Sequence, residues 1–235
     1  MLNQYSAQQL GQLPMIDTYE MFHKEFVKLP QMFQDHRKYF VENFRGFGED
    51  AFHAMWFWLF ERYKPKNILE IGIYRGQTLS LFQLLANHFS YQADIWGISP
   101  LLPGNDSVST YPNIDYNQDI NTNFSHFGLA NPQILKSSSL EKPARQLIKS
   151  RKWDLIYIDG NHDLPFVIAD YVNCADALSE SGILVMDDSS LNRDFHRAGA
   201  FRGHPAPSMV VDQLAKKELE WLFAVGHNNV MAHTP

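Results

Sequence analysis

One cysteine, Cys174, is the entire thiol content of this 235-residue chain. That excludes an intrachain disulfide and a zinc knuckle, and favours a reducing compartment. On a helix, Cys174 reads as a small buried hydrophobe rather than a reactive thiol. Runs of Lys or Arg are also missing, and the formal charge of −6 argues against nonspecific nucleic-acid binding. So are long apolar runs: the most apolar stretch, Ala51 to Phe60, carries His53 and stops at Glu61-Arg62. It falls far short of the roughly 20 residues a membrane span needs. Met1 to Leu13 has no basic segment followed by an apolar core, so no signal peptide is read there and a cytoplasmic location is expected. There is no internal repeat and no low-complexity segment.

The 45% hydrophobic and 20% charged content is that of an ordinary soluble globular protein. Aromatics, at 14%, are above the usual level, and many fall within residues 1–63. The length suits one domain with a short appendage. Met15 to Lys28, Gln31 to Phe44 and Glu49 to Tyr63 read as helices, with Pro30 separating the first two and Lys64-Pro65 ending the third. This helical region, residues 1–64, either packs its aromatic stripe on a sheet or forms a lid over a pocket.

From Asn67 onward the rhythm is strand, helix, strand. Strands are expected at Asn67–Ile73, Asp94–Ser99, Gln133–Lys136, Trp153–Asp159 and Gly182–Asp187. Helices are expected at Gln77–Phe89, Pro143–Ser150 and Leu164–Leu178. Continuous apolar strands alternating with helices imply an α/β fold, a doubly wound parallel sheet covered on both faces. A helix near Ser208–Lys217 follows, then a closing hairpin from Leu219–Val225 to Val230–Ala232 around Gly226-His227-Asn228-Asn229. The long polar stretch Leu101 to Asn123 reads as a loop, either a solvated connection or an acceptor-binding segment.

Three strand ends carry the chemistry. Ile68-Leu69-Glu70-Ile71-Gly72-Ile73-Tyr74-Arg75-Gly76 is a buried strand ending in an acid, then a turn with glycines four apart. Glycine lets the backbone approach a ligand closely and tolerates φ > 0. In an open α/β sheet the crevice beyond such a strand end takes nucleotide-like ligands. Trp153 to Asp159, followed by Gly160-Asn161-His162, delivers an aspartate and a histidine to the same edge. Gly182 to Asp187-Asp188 delivers two more carboxylates. Three crowded carboxylates repel, and either hold a proton or bind a cation. An all-oxygen set suits Mg²⁺ or Mn²⁺. The alternative is that Asp187 or Asp188 caps the next loop and Asp159 accepts turn N–H bonds, with His162 a turn residue. His196, His204 and His227 read as loop histidines; with ten in all, most are expected to be incidental.

The acid-x-Gly-x-x-x-Gly turn resembles motif I of class I S-adenosylmethionine-dependent methyltransferases. The layout from about residue 65 to 232 is similar to that family's seven-stranded, Rossmann-like sheet, order 3-2-1-4-5-7-6 with strand 7 antiparallel. The resemblance implies N-terminal helices at 1–64 and a methyltransferase domain at 65–235. It implies S-adenosylmethionine as cofactor, with Glu70, Gly72, Tyr74, Gly76, Ser99 and Ser138 at its site. Ser99 stands where the family has a carboxylate that takes both ribose hydroxyls, and one serine cannot accept from both. Either a water or neighbour assists it, or affinity falls. Ser138 likewise stands where an acid often meets the adenine amine.

Ile-Asp-Gly-Asn-His, then a helix, then Ser-Gly-Ile-Leu-Val-Met-Asp-Asp resembles the metal-dependent sugar O-methyltransferases and cephalosporin-hydroxylase-like proteins. That narrower resemblance makes Asp159, Asp187 and Asp188 ligands of Mg²⁺ or Mn²⁺ and His162 the general base, with Asp159 also at the reacting centre. The implied partner is a small-molecule acceptor, a sugar hydroxyl or another hydroxylated compound, with no nucleic acid and no membrane; a homo-oligomer is left open. Two rivals are a non-catalytic or metal-free protein of the same fold and an NAD(P)-dependent oxidoreductase. The absence of Gly-x-Gly-x-x-Gly and of a ribose-binding acid disfavours the second rival.

Overall fold

The computed structural model describes residues 4–104 and 106–233. One seven-stranded sheet holds β1 (Asn67–Ile71), β2 (Asp94–Ser99), β3 (Gln133–Lys136), β4 (Trp153–Ile158), β5 (Leu178–Met186), β6 (Glu220–Val225) and β7 (Asn228–Ala232). Their order is β3-β2-β1-β4-β5-β7-β6, with β7 antiparallel to both neighbours, as expected. Around it lie α1 (Ala7–Gly11), α2 (Met15–Phe26), α3 (Gln31–Glu42), α4 (Asp50–Tyr63), α5 (Gln77–His88) and α6 (Tyr116–His126). The later helices are α7 (Lys142–Lys149), α8 (Leu164–Ala177), α9 (Pro205–Val210) and α10 (Lys216–Glu218). A π-helical turn at Val211–Ala215 joins the last two. No described helix is long and apolar enough to cross a membrane.

Several boundaries differ from the expected ones. β1 stops at Ile71 rather than Ile73, because Gly72 takes φ 84° and turns the chain. β5 starts at Leu178 rather than Gly182: the chain passes from α8 directly into extended backbone and pairs with Trp153. The hairpin loop shrinks to Gly226-His227, since Asn228 already pairs with Val225. The stretch read as a polar loop up to Asn123 holds the start of α6, capped by the Asp115 side chain on the Gln118 N–H. Its inward stripe is Tyr116, Ile120 and Phe124, four residues apart and buried.

Alternation along the strands divides the core in two. Ile68, Leu155, Tyr157, Ile183 and Val185 face α1–α6, whereas Leu69, Ile71, Ile156, Ile158, Leu184 and Met186 face α7–α9. By the same alternation Glu70, Asp159 and Asp187 point to the first face. The register makes neighbours of these strand ends: Glu70 lies opposite Tyr157, and Ile158 opposite Met186.

The N-terminal helices share this first core. Phe22 of α2 is fully buried, stacked on Phe223 of β6 at 6.0 Å and edge-on to Trp58 of α4 at 6.3 Å. Trp56 packs edge-on against Phe82 and Tyr157. Truncating Phe22 to Ala leaves a cavity in a close-packed interior and is expected to cost about 3–5 kcal/mol. A single cooperative denaturant transition at lowered midpoint is the predicted observation; loss of helical signal alone, with the sheet unaffected, would show that α2 is an appendage.

Candidate active site

A cavity of about 730 Å³ opens beyond the carboxyl ends of β1, β2, β4 and β5. It adjoins the point between β1 and β4 where the strand order reverses, the place where open α/β sheets bind ligands. Its volume lies within the roughly 300–1,000 Å³ usual for small-molecule sites. Glu70, Gly72, Tyr74, Ser99, Ser138, Asp159, His162, Asp187 and Asp188 all line it. Phe47 and Gly48 from the α3–α4 connection, and Phe52, His53 and Trp56 from α4, form the opposite wall.

Gly76 is the exception among the expected residues: it does not line the cavity. A Cβ there would meet Ile120 and Phe124 of α6 at 3.2 and 3.3 Å, so its smallness serves helix packing and its φ of 78° starts α5. Gly72 answers to a tighter constraint. A Cβ on it would lie 1.9 Å from the Asp159 carbonyl oxygen and 2.7 Å from Gly160 Cα. Backbone hydrogen bonds from Gly72 to Ile98 and from Asp159 to Ile71 fix this approach. The turn after β1 is further held by Arg75, which donates to Asp119 of α6 at 2.6 and 2.8 Å. Arg45 donates to the same carboxylate at 2.7 Å, and Asn123 to the Arg75 carbonyl at 2.8 Å.

Glu70 is buried, and among the described residues its Oε2 has no hydrogen-bond partner; Gln77 Nε2, at the start of α5, also lacks one there. Both residues line the cavity. An orphaned acceptor and donor flanking the glycine turn fit a polar ligand that supplies their partners. Burial, followed by the nearby Asp187 carboxylate, pushes the Glu70 carboxyl well above its ordinary range. Ser99 Oγ accepts the Leu101 N–H at 3.2 Å, which leaves its proton free to donate. Ser138 is set in a turn closed by Glu141, whose Oε2 accepts from Ser138 N–H and from the Ser137 hydroxyl.

Asp159 and Asp187 stand side by side beneath one phenol. Tyr157 donates to Asp187 Oδ2 at 2.8 Å and lies 3.3 Å from Asp159 Oδ2. Burial first, then the charges of Asp187 and Asp188, push Asp159 well above the usual carboxylate range. Asp188 reaches the same edge because the chain turns at φ 51° there. Burial would raise Asp188 too, but hydrogen bonds from His162 and His227 outweigh it and hold this carboxyl low. The carboxylate oxygens gathered at this corner are of a kind that can hold a cation.

Donor atoms for such an ion lie within 4.8 Å of one another in two sets among the described residues: His162, Asp188 and His204, and Asp187, Asp188 and His227. Asp159 belongs to neither. His162, the expected base, has both nitrogens engaged: Nδ1 meets Asp106 Oδ2 at 2.7 Å and Nε2 meets Asp188 Oδ2 at 2.8 Å. Burial opposes its protonated form, but these carboxylates outweigh burial and raise its pKa. His227, read from the sequence as incidental, sits on the Gly226-His227 loop with Nδ1 2.7 Å from Asp187 Oδ1 and 3.0 Å from Asp188 Oδ1. Against the opposing effect of burial, these contacts lift it to about 10. Asp106, in the Leu101–Asn123 stretch read as a solvated or acceptor-binding loop, and His204, read as a loop histidine, also meet at this corner.

On the far side of the Asp159-Gly160 turn, Asp170 of α8 is buried, with Ser139 as its nearby hydrogen-bonding group. Burial pushes its carboxyl up to about 7. A folded-state pKa above the unfolded value of about 3.9 means that folded chains bind the extra proton. Stability contributed by Asp170 is therefore lost as pH rises from about 4 to about 7. Asp170→Asn is expected to remove its share of that slope in denaturant midpoints measured across this range. An unchanged slope would place the titration elsewhere.

Known structures share the fold at low identity. A Staphylococcus aureus protein described as a caffeoyl-CoA O-methyltransferase superposes with TM-score 0.63 at 14% identity, covering 92% of this chain and 98% of that one. A Bacillus cereus O-methyltransferase in complex with SAH gives TM-score 0.58 at 10% identity, over 98% and 100%. CalS11, the TDP-rhamnose 3′-O-methyltransferase of calicheamicin biosynthesis, gives 0.55 at 13%, over 92% and 93%. No curated protein sequence matches the chain. A family model described as a methyltransferase domain matches residues 69–189, more than half of the 235 residues and every strand-end motif described above, and the chain belongs to that methyltransferase family.

Proposed function

We propose that the protein transfers a methyl group from S-adenosylmethionine to a hydroxyl of a small molecule, a saccharide or a similar hydroxylated compound, with a divalent cation at the carboxylate corner. The observation that carries the reading is the single cavity joining the Gly72 turn and the orphaned Glu70 oxygen to Asp159, Asp187 and Asp188. The donor would be held by Glu70, Gly72, Tyr74, Ser99 and Ser138. A cation would be held by Asp187 and Asp188, with Asp159 adjoining, and Mg²⁺ and Mn²⁺ are the ions an oxygen-rich corner suits. Bound there, it would supply Lewis acidity toward the acceptor hydroxyl.

The chain's own residues account for the rest. Phe52 and Trp56 give the cavity an apolar wall on the helical side. Methyl transfer from a sulfonium is an in-line displacement, so fixing donor and acceptor across this space is largely a positioning gain. The acceptor proton needs a free basic atom. Both His162 nitrogens are engaged, which favours Asp159, whose raised proton affinity suits general-base work. His162 then acts by holding Asp188.

The test is transfer of a labelled methyl group from S-adenosylmethionine to a panel of saccharides, catechols and other hydroxylated acceptors, with and without EDTA. Labelled ether products suppressed by EDTA are expected. Label transfer indifferent to EDTA would remove the cation; no transfer to any acceptor would favour a binding protein of the same fold.

A further inference from the structure

Three histidines flank Asp188: His227 meets its Oδ1, and His162 and His204 both face its Oδ2. His162 Nε2 lies 2.8 Å and His204 Nε2 3.6 Å from Asp188 Oδ2. Ligand atoms about 2.1 Å from a shared ion stand roughly 3.0–3.4 Å apart in octahedral or tetrahedral sites. The two distances to Asp188 Oδ2 bracket that range, and all three donor atoms lie within 4.8 Å of one another. The rings of His162 and His204 lie 4.5 Å apart, centroid to centroid, so neither side chain must cross the cavity to reach the carboxylate.

A second observation concerns the other nitrogen of His162. A metal-binding imidazole commonly has its remaining ring nitrogen held by a carboxylate, which fixes the tautomer and the ring. Asp106 does this here, at 2.7 Å from Nδ1. It is itself immobilised: Oδ2 also accepts the His162 N–H at 3.1 Å, and Oδ1 accepts those of Ser109 and Val108 at 2.7 and 3.0 Å. The Asp106 side chain is only 2% exposed. A turn residue with incidental contacts would not need a carboxylate locked by four hydrogen bonds.

We propose that His162, His204 and Asp188 form a two-histidine, one-carboxylate cation site whose resident is a transition ion such as Fe²⁺, Co²⁺ or Zn²⁺ rather than Mg²⁺. Imidazole suits these ions, whereas Mg²⁺ selects oxygen. The inference rests on the proposed cation at this corner and changes its donor set. Asp159 takes no part in ligation, and His227 stays engaged with Asp187 and the other Asp188 oxygen.

The test uses the full chain freed of metal by a chelator. Calorimetric titration with Co²⁺, Mn²⁺ and Mg²⁺ is paired with pulsed electron paramagnetic resonance of the Mn²⁺ form. Expected are one site per chain, Co²⁺ bound more tightly than Mn²⁺ and Mn²⁺ more tightly than Mg²⁺, and nitrogen-14 couplings from imidazole. Asp106→Asn should weaken Co²⁺ by about 10–100-fold. His204→Ala, a change at a loop position, should weaken it more and reduce the nitrogen coupling, whereas Asp159→Asn should leave both nearly unchanged. A Mn²⁺ spectrum without nitrogen coupling, or binding lost in Asp159→Asn but kept in His204→Ala, would overturn the donor set. Absence of any ion binding would overturn both the site and the cation in the proposed function. Titration with S-adenosylhomocysteine reads the methyl-donor site independently of every one of these outcomes.

Discussion

Gly72→Ala is expected to destabilise the protein by about 2–6 kcal/mol and to abolish binding of S-adenosylhomocysteine. Two effects add. The residue holds φ 84°, which strains any side chain, and its Cβ would stand 1.9 Å from the Asp159 carbonyl oxygen. The obstacle is the Asp159-Gly160 backbone, fixed by the hydrogen bonds that tie β1 to β2 and β4. The β1 and β4 turns would have to part, carrying Asp159 and Gly160 out of line with Asp187. Thermal unfolding and calorimetry measure both effects. Gly76→Ala is the contrast: its Cβ meets only side chains of α6 at 3.2 Å and beyond, although φ is again positive. A smaller loss of stability with binding retained is expected there. Equal loss of binding in the two variants would mean that Gly76 touches the ligand after all.

Asp159→Asn is expected to lower methyl transfer by about 10²–10⁴-fold, the span of a general base, while leaving S-adenosylhomocysteine affinity within a few-fold. The same change should stabilise the fold. Burial and the charges of Asp187 and Asp188 raise the Asp159 pKa in the folded state. Stability is thus lost as pH rises from the ordinary carboxylate range toward that raised value, and an amide never incurs the loss. A higher Tm than that of the wild type is predicted at neutral pH. The difference should shrink as the pH is lowered toward 4. Turnover near that of the wild type would assign the proton to another group. A fall in Tm would mean that Asp159 is a structural partner of Tyr157 instead.

The sheet was legible because its strands are continuous apolar runs flanked by helices, and a parallel sheet buried on both faces demands such runs. The carboxylate edge was legible for the same reason. A charged residue directly after Ile156-Tyr157-Ile158 or Leu184-Val185-Met186 has nowhere to lie but the strand's end. What escaped the sequence reading depends on distant contacts. Asn and Asp residues surround the Tyr116, Ile120 and Phe124 stripe of α6, so the polar surroundings masked a helix whose Asp115 cap was in view. His227 joins the site only because β7 returns antiparallel beside β5, pairing Asn229 with Met186 and carrying the hairpin loop to the aspartates. Gly76 was read as space for a ligand, whereas its neighbour proved to be α6, the element not foreseen. Asp106 and His204 lie far apart in sequence and meet only through His162 and Asp188.

The central claim is that the crevice beyond β1 and β4 is built for a methyl donor. Parallel calorimetric titrations of the wild-type protein with S-adenosylhomocysteine and with NADH test it most directly. The account predicts saturable one-to-one binding of S-adenosylhomocysteine, lost in Gly72→Ala, and no heat from NADH. Saturable NADH binding with no response to S-adenosylhomocysteine would contradict it.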